Sequence, residues 1–145
     1  LQAAVGSAVI DYIEREGLIA SVAEVGAYLA AADCLPVHLK AAPLFAITIP
    51  SKTQAYMAAG KPIIMAVEGD AAELMRQSEG GVVVPPEDAG ALAEAVNALA
   101  ELPSDVLAVL GSNARRFYDE HLSFARGAGS FAALLSNVVR KRKRR

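Results

Sequence analysis

Three short apolar runs set the fold of this chain: Leu35-Pro36-Val37-His38-Leu39, then Ile63-Ile64-Met65-Ala66-Val67, and last Val82-Val83-Val84 behind the pair Gly80-Gly81. The last two are unbroken rather than alternating, the pattern of parallel strands covered on both faces. Residues 51–59 and 70–79, which separate the runs, have helical composition. Strand, helix, strand, helix, strand predicts an α/β domain built on a Rossmann-like, doubly wound parallel sheet with right-handed crossovers and flanking helices. A weaker strand is read at 18–22.

Further helices complete the layers. Residues 3–16 and 23–32 read as helices that precede the first clear strand. Pro85-Pro86-Glu87-Asp88 is a turn in which Asp88 serves as N-cap of a helix over 89–102, with Leu92, Val96 and Leu99 on one face. Pro103 ends it. Ser104 is expected to cap the next helix, which carries Leu107, Leu110, Ala114 and Phe117 at helical spacing, and Phe131, Leu134, Leu135 and Val138 mark a final one. With 145 residues, 54% of them apolar, the chain suits one domain over 1–145, its C-terminal helices lying in 104–145. There is no internal repeat and no low-complexity linker.

Charge and cysteine content narrow the setting. The formal charge of −2 includes six positive charges contributed by Arg140 through Arg145, so the rest of the chain carries −8. An acidic body argues against a nucleic-acid-binding domain. The basic run reads in three ways: a solvated helix end, a contact with anionic lipid, or a nucleic-acid or targeting segment. Cys34 is the one cysteine, expected to be a small buried thiol. The longest uncharged stretch, from Gly127 to Val139, has 13 residues, short of the ~20 that a membrane span needs. The chain starts at Leu1 without a methionine or a signal peptide pattern, which points to a fragment of a cytoplasmic protein.

Two loops attract chemistry. In an open parallel sheet, ligands sit beyond the carboxyl ends of the strands, where loops run into helix N-termini. The stretch KAAPLFAITIPS, from Lys40 to Ser51, is long for a βα loop and delivers Pro50, Ser51 and Lys52 to a helix start. Free N–H groups, a hydroxyl and an ammonium there suit a phosphate, although the same residues also open ordinary helices. The second loop is Glu68-Gly69-Asp70, in which Gly69 permits close backbone approach, with Glu73 one turn into the following helix. Gly60 is expected to cap the C-terminus of the first helix, ahead of Pro62. Cys34 and His38 are too few for a metal shell, and no GxSxG, GxxxxGK[ST] or GxGxxG motif occurs, so no metal or cofactor is expected.

The run YLAAADCLPVHLKAAPLFAITIPSKTQAYMAAGKPIIMAVEGDAAEL, followed by GGVVVPPEDAGALAEAV, resembles the C-terminal, nucleotide-sugar-binding domain of a bacterial family 4 (group 1) glycosyltransferase of the GT-B fold. The resemblance covers roughly Ala23 to Val96. It implies transfer of a sugar, with retention, from a nucleotide diphosphate sugar to an acceptor of the kind used in surface polysaccharide synthesis. It also implies a separate N-terminal acceptor-binding domain, so that this chain alone is expected to be inactive. Ser51 and Lys52 would hold phosphate oxygens, Thr48 would approach the sugar, and the turn from Gly69 through Asp70 to Glu73 would approach phosphates and ribose. A lipid-linked acceptor would give the basic tail a reason to rest on the inner face of a membrane.

The sequence departs from that family in one respect. Many relatives carry two glutamates with seven residues between them at the donor site, and Ile47 and Ala55 occupy the matching positions. In that resemblance Gln54 or Glu73 would replace the ribose contact. Two rival readings stand beside it: a nucleotide-sugar epimerase, since that chemistry also occurs on this scaffold, and a non-catalytic pairing subunit or degenerate transferase domain that has lost both glutamates.

Overall fold

The computed structural model describes residues 22–142, with side chains from 25 to 140. The helix α1 (Val22–Ala31) belongs to one unit, Leu1–Ala31, and everything from Ala32 onward to a second. The expected helix over 3–16 lies outside the described residues, as does the weak strand over 18–22 except for Val22, which opens α1.

In the second unit the elements follow in the order β1 (Leu35–His38), α2 (Pro43–Ala46), α3 (Ser51–Ala59), β2 (Ile63–Ala66), α4 (Asp70–Ser78), β3 (Gly81–Val84), α5 (Ala89–Ala100) and α6 (Ser104–Phe117). A π-helical turn, Tyr118–Leu122, leads into α7 (Phe124–Arg142). The strands form a parallel sheet in the order β1-β2-β3, with Leu35 opposite Ile63 and Ile63 opposite Gly81. This is the α/β architecture with flanking helices that the apolar runs predict.

Burial explains the placement of each strand. All four residues of β2 are buried, as an unbroken apolar run in the middle of a sheet requires. Ile63, Met65 and Val67 join Met57 of α3, Ala71, Ala72 and Met75 of α4, and Ala114 of α6 in one cluster. Ile64 and Ala66 point to the opposite face, where α5 crosses β2 and β3 and buries Leu99. Each fully buried Ile or Met side chain contributes roughly 1.5–3 kcal/mol by leaving water.

The outer strands differ. β1 alternates, with Leu35 and Val37 buried and Pro36 and His38 exposed. The Leu35 and Leu39 amides donate to Pro62 and Ala66 on the β2 side, so Pro36, which has no N–H, falls where the backbone faces away from β2, toward an edge unpaired among the described residues. β3, although unbroken in sequence, is only half-buried, because β2 shields one of its edges while the described chain leaves the other open.

Caps follow the sequence with one exception. Gly60 adopts φ 67°, ψ 37° and closes α3 by donating to Met57 O. Asp88 accepts from Ala91 N at 2.9 Å and starts α5. Ser104, expected to cap α6, is instead its first residue. Pro103 holds the cap position and lends no side-chain acceptor, and the Asp105 carboxylate takes the Val106 amide at 3.0 Å. Cys34 is half-buried rather than buried, and its thiol pKa is raised, first by burial and then by the charge of Asp33.

Candidate functional site

Both candidate loops reach the carboxyl rim because of the crossover geometry. A parallel strand ends at the rim, and the helix that follows must run back beneath the sheet to start the next strand. The helix α3 has nine residues, about 13 Å at ~1.5 Å per residue, which matches the length of a four-residue strand. Its C-terminus therefore meets the amino end of β2 and its N-terminus the rim. The same holds for α4, between β2 and β3.

The first loop is better ordered than its length suggests. One helical turn, α2, interrupts it, started by Pro43 and closed at Ile47, whose amide donates to Phe45 O. The Thr48 hydroxyl donates to Leu44 O at 2.6 Å and the Thr48 amide to Phe45 O at 3.2 Å, folding 44–48 onto itself. Its far end is tied across the rim, where Ala41 N donates to Glu87 Oε2 at 3.0 Å. Glu87 holds φ 59°, a region that costs a non-glycine residue of order 1 kcal/mol and that persists only where the surroundings impose it. Sequence reading takes 85–88 as a plain turn; nothing local announces a carboxylate that reaches back 46 residues.

Gly69 joins the two loops. It has φ 74° and ψ −143°, and a Cβ there would lie 1.9 Å from Ala46 O. The backbone of the first loop thus lies directly on the backbone of the second, as the reading of Gly69 as a close-approach position requires. The starts of α3 and α4 are brought to one place.

These starts differ in charge. Pro50 and Gly69 occupy the two cap positions, and neither helix receives a side-chain cap. The first turn of α3 holds no acidic residue; it presents exposed Ser51 and Gln54 and half-buried Lys52. The first turn of α4 carries Asp70 and Glu73, both exposed. An anion is favoured at α3 and disfavoured at α4, whose carboxylates suit hydroxyl groups. The side chain of Glu73 is held along its own helix, accepting from Gln77 Nε2 at 3.1 Å and pairing with Arg76 at 3.6 Å. Ile47 is 72% exposed and Ala55 is exposed, so both positions present apolar side chains to solvent.

Thr53, in the first turn of α3, escapes sequence reading. It is fully buried and its Oγ1 has no hydrogen-bond partner, an arrangement that costs about 1–3 kcal/mol. The only signal is its place four residues before buried Met57, on the inward stripe of the helix. Thr53→Val keeps the shape and removes the orphaned hydroxyl. We expect it to raise stability by about 1 kcal/mol in urea unfolding, and a loss of stability would show that the hydroxyl is satisfied in solution.

An open depression of about 480 Å³ lies elsewhere, lined by Gly60, Gly111, Arg115 and Arg116 among others. It sits at the C-terminus of α3, the end opposite the rim. Arg115 is already engaged there, donating through Nη1 to Ala58 O and through Nε to Asp119 Oδ2, each at 2.8 Å. The pair with Asp119 raises the Arg115 pKa, first by hydrogen bonding and then by charge. Here the guanidinium closes the last turn of a helix rather than waiting for a ligand.

The matched model of known families is that of the glycosyl transferases group 1, over residues 3–101, which includes both loops and all three strands. The chain belongs to that family. The fold is similar to that of the solved structure of sucrose-phosphate synthase from Thermosynechococcus elongatus, with a TM-score of 0.64 and 24% identity over 79% of this chain. The chain spans 27% of that protein's length. A comparison with curated proteins gives no match. The family match ends just past α5, so α6 and α7 lie beyond it.

Proposed function

We propose that this chain is the donor-binding half of a bacterial family 4 glycosyltransferase, working in the cytoplasm with a nucleotide diphosphate sugar and retaining the anomeric configuration. The observation that carries this reading is the start of α3, a helix N-terminus at the carboxyl rim with Pro50 as cap, Ser51 and Lys52 beside it and no acidic residue in its first turn. The diphosphate lies there, on backbone amides and the Lys52 ammonium. The α4 start, with Asp70 and Glu73, takes hydroxyls of the ribose or the sugar. Thr48 offers acceptor lone pairs only, its proton being given to Leu44 O.

When the glycosidic bond to the donor breaks, the departing nucleoside diphosphate gains negative charge. Amides fixed at α3 then stabilise the transition state more than the bound donor. The acceptor, in this reading a precursor of a surface polysaccharide, is held by a further part of the protein, so this chain by itself turns over nothing.

A second reading is favoured by Ile47 and Ala55, both exposed and unable to hold a hydroxyl. In it the chain binds a donor without processing it, as a pairing subunit. Titration of the folded chain with uridine, guanosine and thymidine diphosphates in a calorimeter tests the common element. Binding below millimolar is expected for at least one, and the absence of heat at millimolar ligand with native circular dichroism overturns both readings. Product analysis with the full-length protein and nucleotide sugars then separates them.

A further inference from the structure

Among the described residues, two that are not glycine have positive φ, Glu79 at 51° and Glu87 at 59°. Glu79 closes α4, where a left-handed residue is ordinary. Glu87 closes no helix. It follows Pro86 in the turn between β3 and α5, where glycine or asparagine would hold the same backbone without cost. Its neighbour Asp88 already caps α5, so the turn needs no second carboxylate. What glutamate has and the other two lack is reach. Its Oε2 accepts from Ala41 N at 3.0 Å, in the loop that leaves β1. In a sheet ordered β1-β2-β3, the loops after β1 and β3 stand two strand spacings apart, roughly 10 Å, with the end of β2 between them. The tie from Glu87 joins the two loops across that gap.

We propose that Glu87 is a positioning residue for donor binding, holding the stretch from Lys40 to Ser51 in the shape that presents the start of α3; the inference rests on the reading of that start as the diphosphate site. The far half of the loop has its own supports. Gly69 lies against Ala46, and Thr48 bonds back to Leu44 and Phe45. The near half has one. Leu39 N still pairs with Ala66 O, and from there to Ala42 the Glu87 tie is the one hydrogen bond to another element among the described residues. Without it α2 is anchored from one side only, and a ligand that arrives must order the loop at the expense of its own binding energy. The charge of Glu87 works in the opposite sense, since a carboxylate at the rim repels a diphosphate. Position and charge therefore predict effects of opposite sign, and a substitution can separate them.

Glu87→Gln and Glu87→Asn remove the same charge and differ by one carbon in length. The Gln amide oxygen still accepts from Ala41; Asn is too short to do so, and it suits a positive φ better than Glu or Gln. In calorimetric titrations of the 145-residue chain with uridine, guanosine and thymidine diphosphates, the Gln variant is expected to bind at least as tightly as the unaltered chain, and the Asn variant about threefold to tenfold more weakly than the Gln variant. The urea midpoint of Glu87→Asn should hold or rise, because the strained φ is relieved where a single exposed bond is lost. A fall in that midpoint overturns the proposal, since weaker binding would then follow from a loosened fold. Amide exchange followed by NMR reads the tie without ligand: the Ala41 N–H should exchange faster in the Asn variant than in the other two, and equal rates in all three overturn the proposal. Absence of binding by the unaltered chain overturns the donor reading and this inference together, whereas binding by the unaltered chain with equal affinities in the two variants overturns this inference alone.

Discussion

Gly69→Ala is expected to lower stability by about 3 kcal/mol or more, a large effect for one methyl group on an exposed turn. Two costs combine. The backbone sits at φ 74°, ψ −143°, outside the regions open to residues with a Cβ. The added carbon would also meet three backbone atoms of Ala46 at 1.9–2.6 Å, and no rotamer change relieves a clash with backbone. One loop must move away from the other, which separates the starts of α3 and α4. In urea unfolding, the midpoint should fall by at least about 1 M at unchanged slope, given a slope of ~1–3 kcal/mol per M for a small domain. A control is Gly129→Ala in α7, where nothing lies within 4 Å and the midpoint should hold or rise. Were Gly69→Ala to leave the midpoint in place, the contact between the two loops would not exist in solution.

That contact shows how far the sequence can be read. The unbroken apolar runs find the strands because burial on both faces leaves no position for a polar residue, and β2 obeys this at every position. Asp88 and Gly60 are legible because a cap is a local event, settled by the residue and its next few neighbours. Gly69 is half-legible: the residue type announces a close approach, while Ala46 as the group approached is a tertiary fact. The tie between Glu87 and Ala41 is not legible at all, since its partners stand 46 residues apart and a glutamate in a turn usually faces water. Thr53 fails for the opposite reason. Its type predicts exposure, and the stripe it occupies on α3 overrides type. Ser104 misleads because Pro103 takes the cap position ahead of it. The apolar series of α7 is legible as helical spacing, but spacing alone does not tell a face turned to the core from one turned outward.

Ser51→Pro isolates the backbone contribution to donor binding, which the reading of this family member as a donor-binding half makes the decisive term. Proline is well tolerated at the first position of a helix, where the N–H has no partner within the helix. Pro50 already holds φ −61°, ψ 137°, the extended conformation that a following proline demands. Stability should therefore stay within about 0.5 kcal/mol, while one amide and one hydroxyl leave the proposed diphosphate site. Hydrogen bonds to a charged group are worth about 1.5–3 kcal/mol, so the affinity for a nucleoside diphosphate should fall about tenfold to a hundredfold. Ser51→Ala removes only the hydroxyl and should cost less. Lys52→Ala removes the ammonium, and its loss should shrink as salt rises, because the attraction of a solvent-accessible charge is screened more than a short amide hydrogen bond to phosphate. Calorimetry on the three variants orders these terms. If Ser51→Pro binds as well as the unaltered chain, the diphosphate does not sit on the amides of α3, and an ammonium held near the rim by chance would explain any binding that remained.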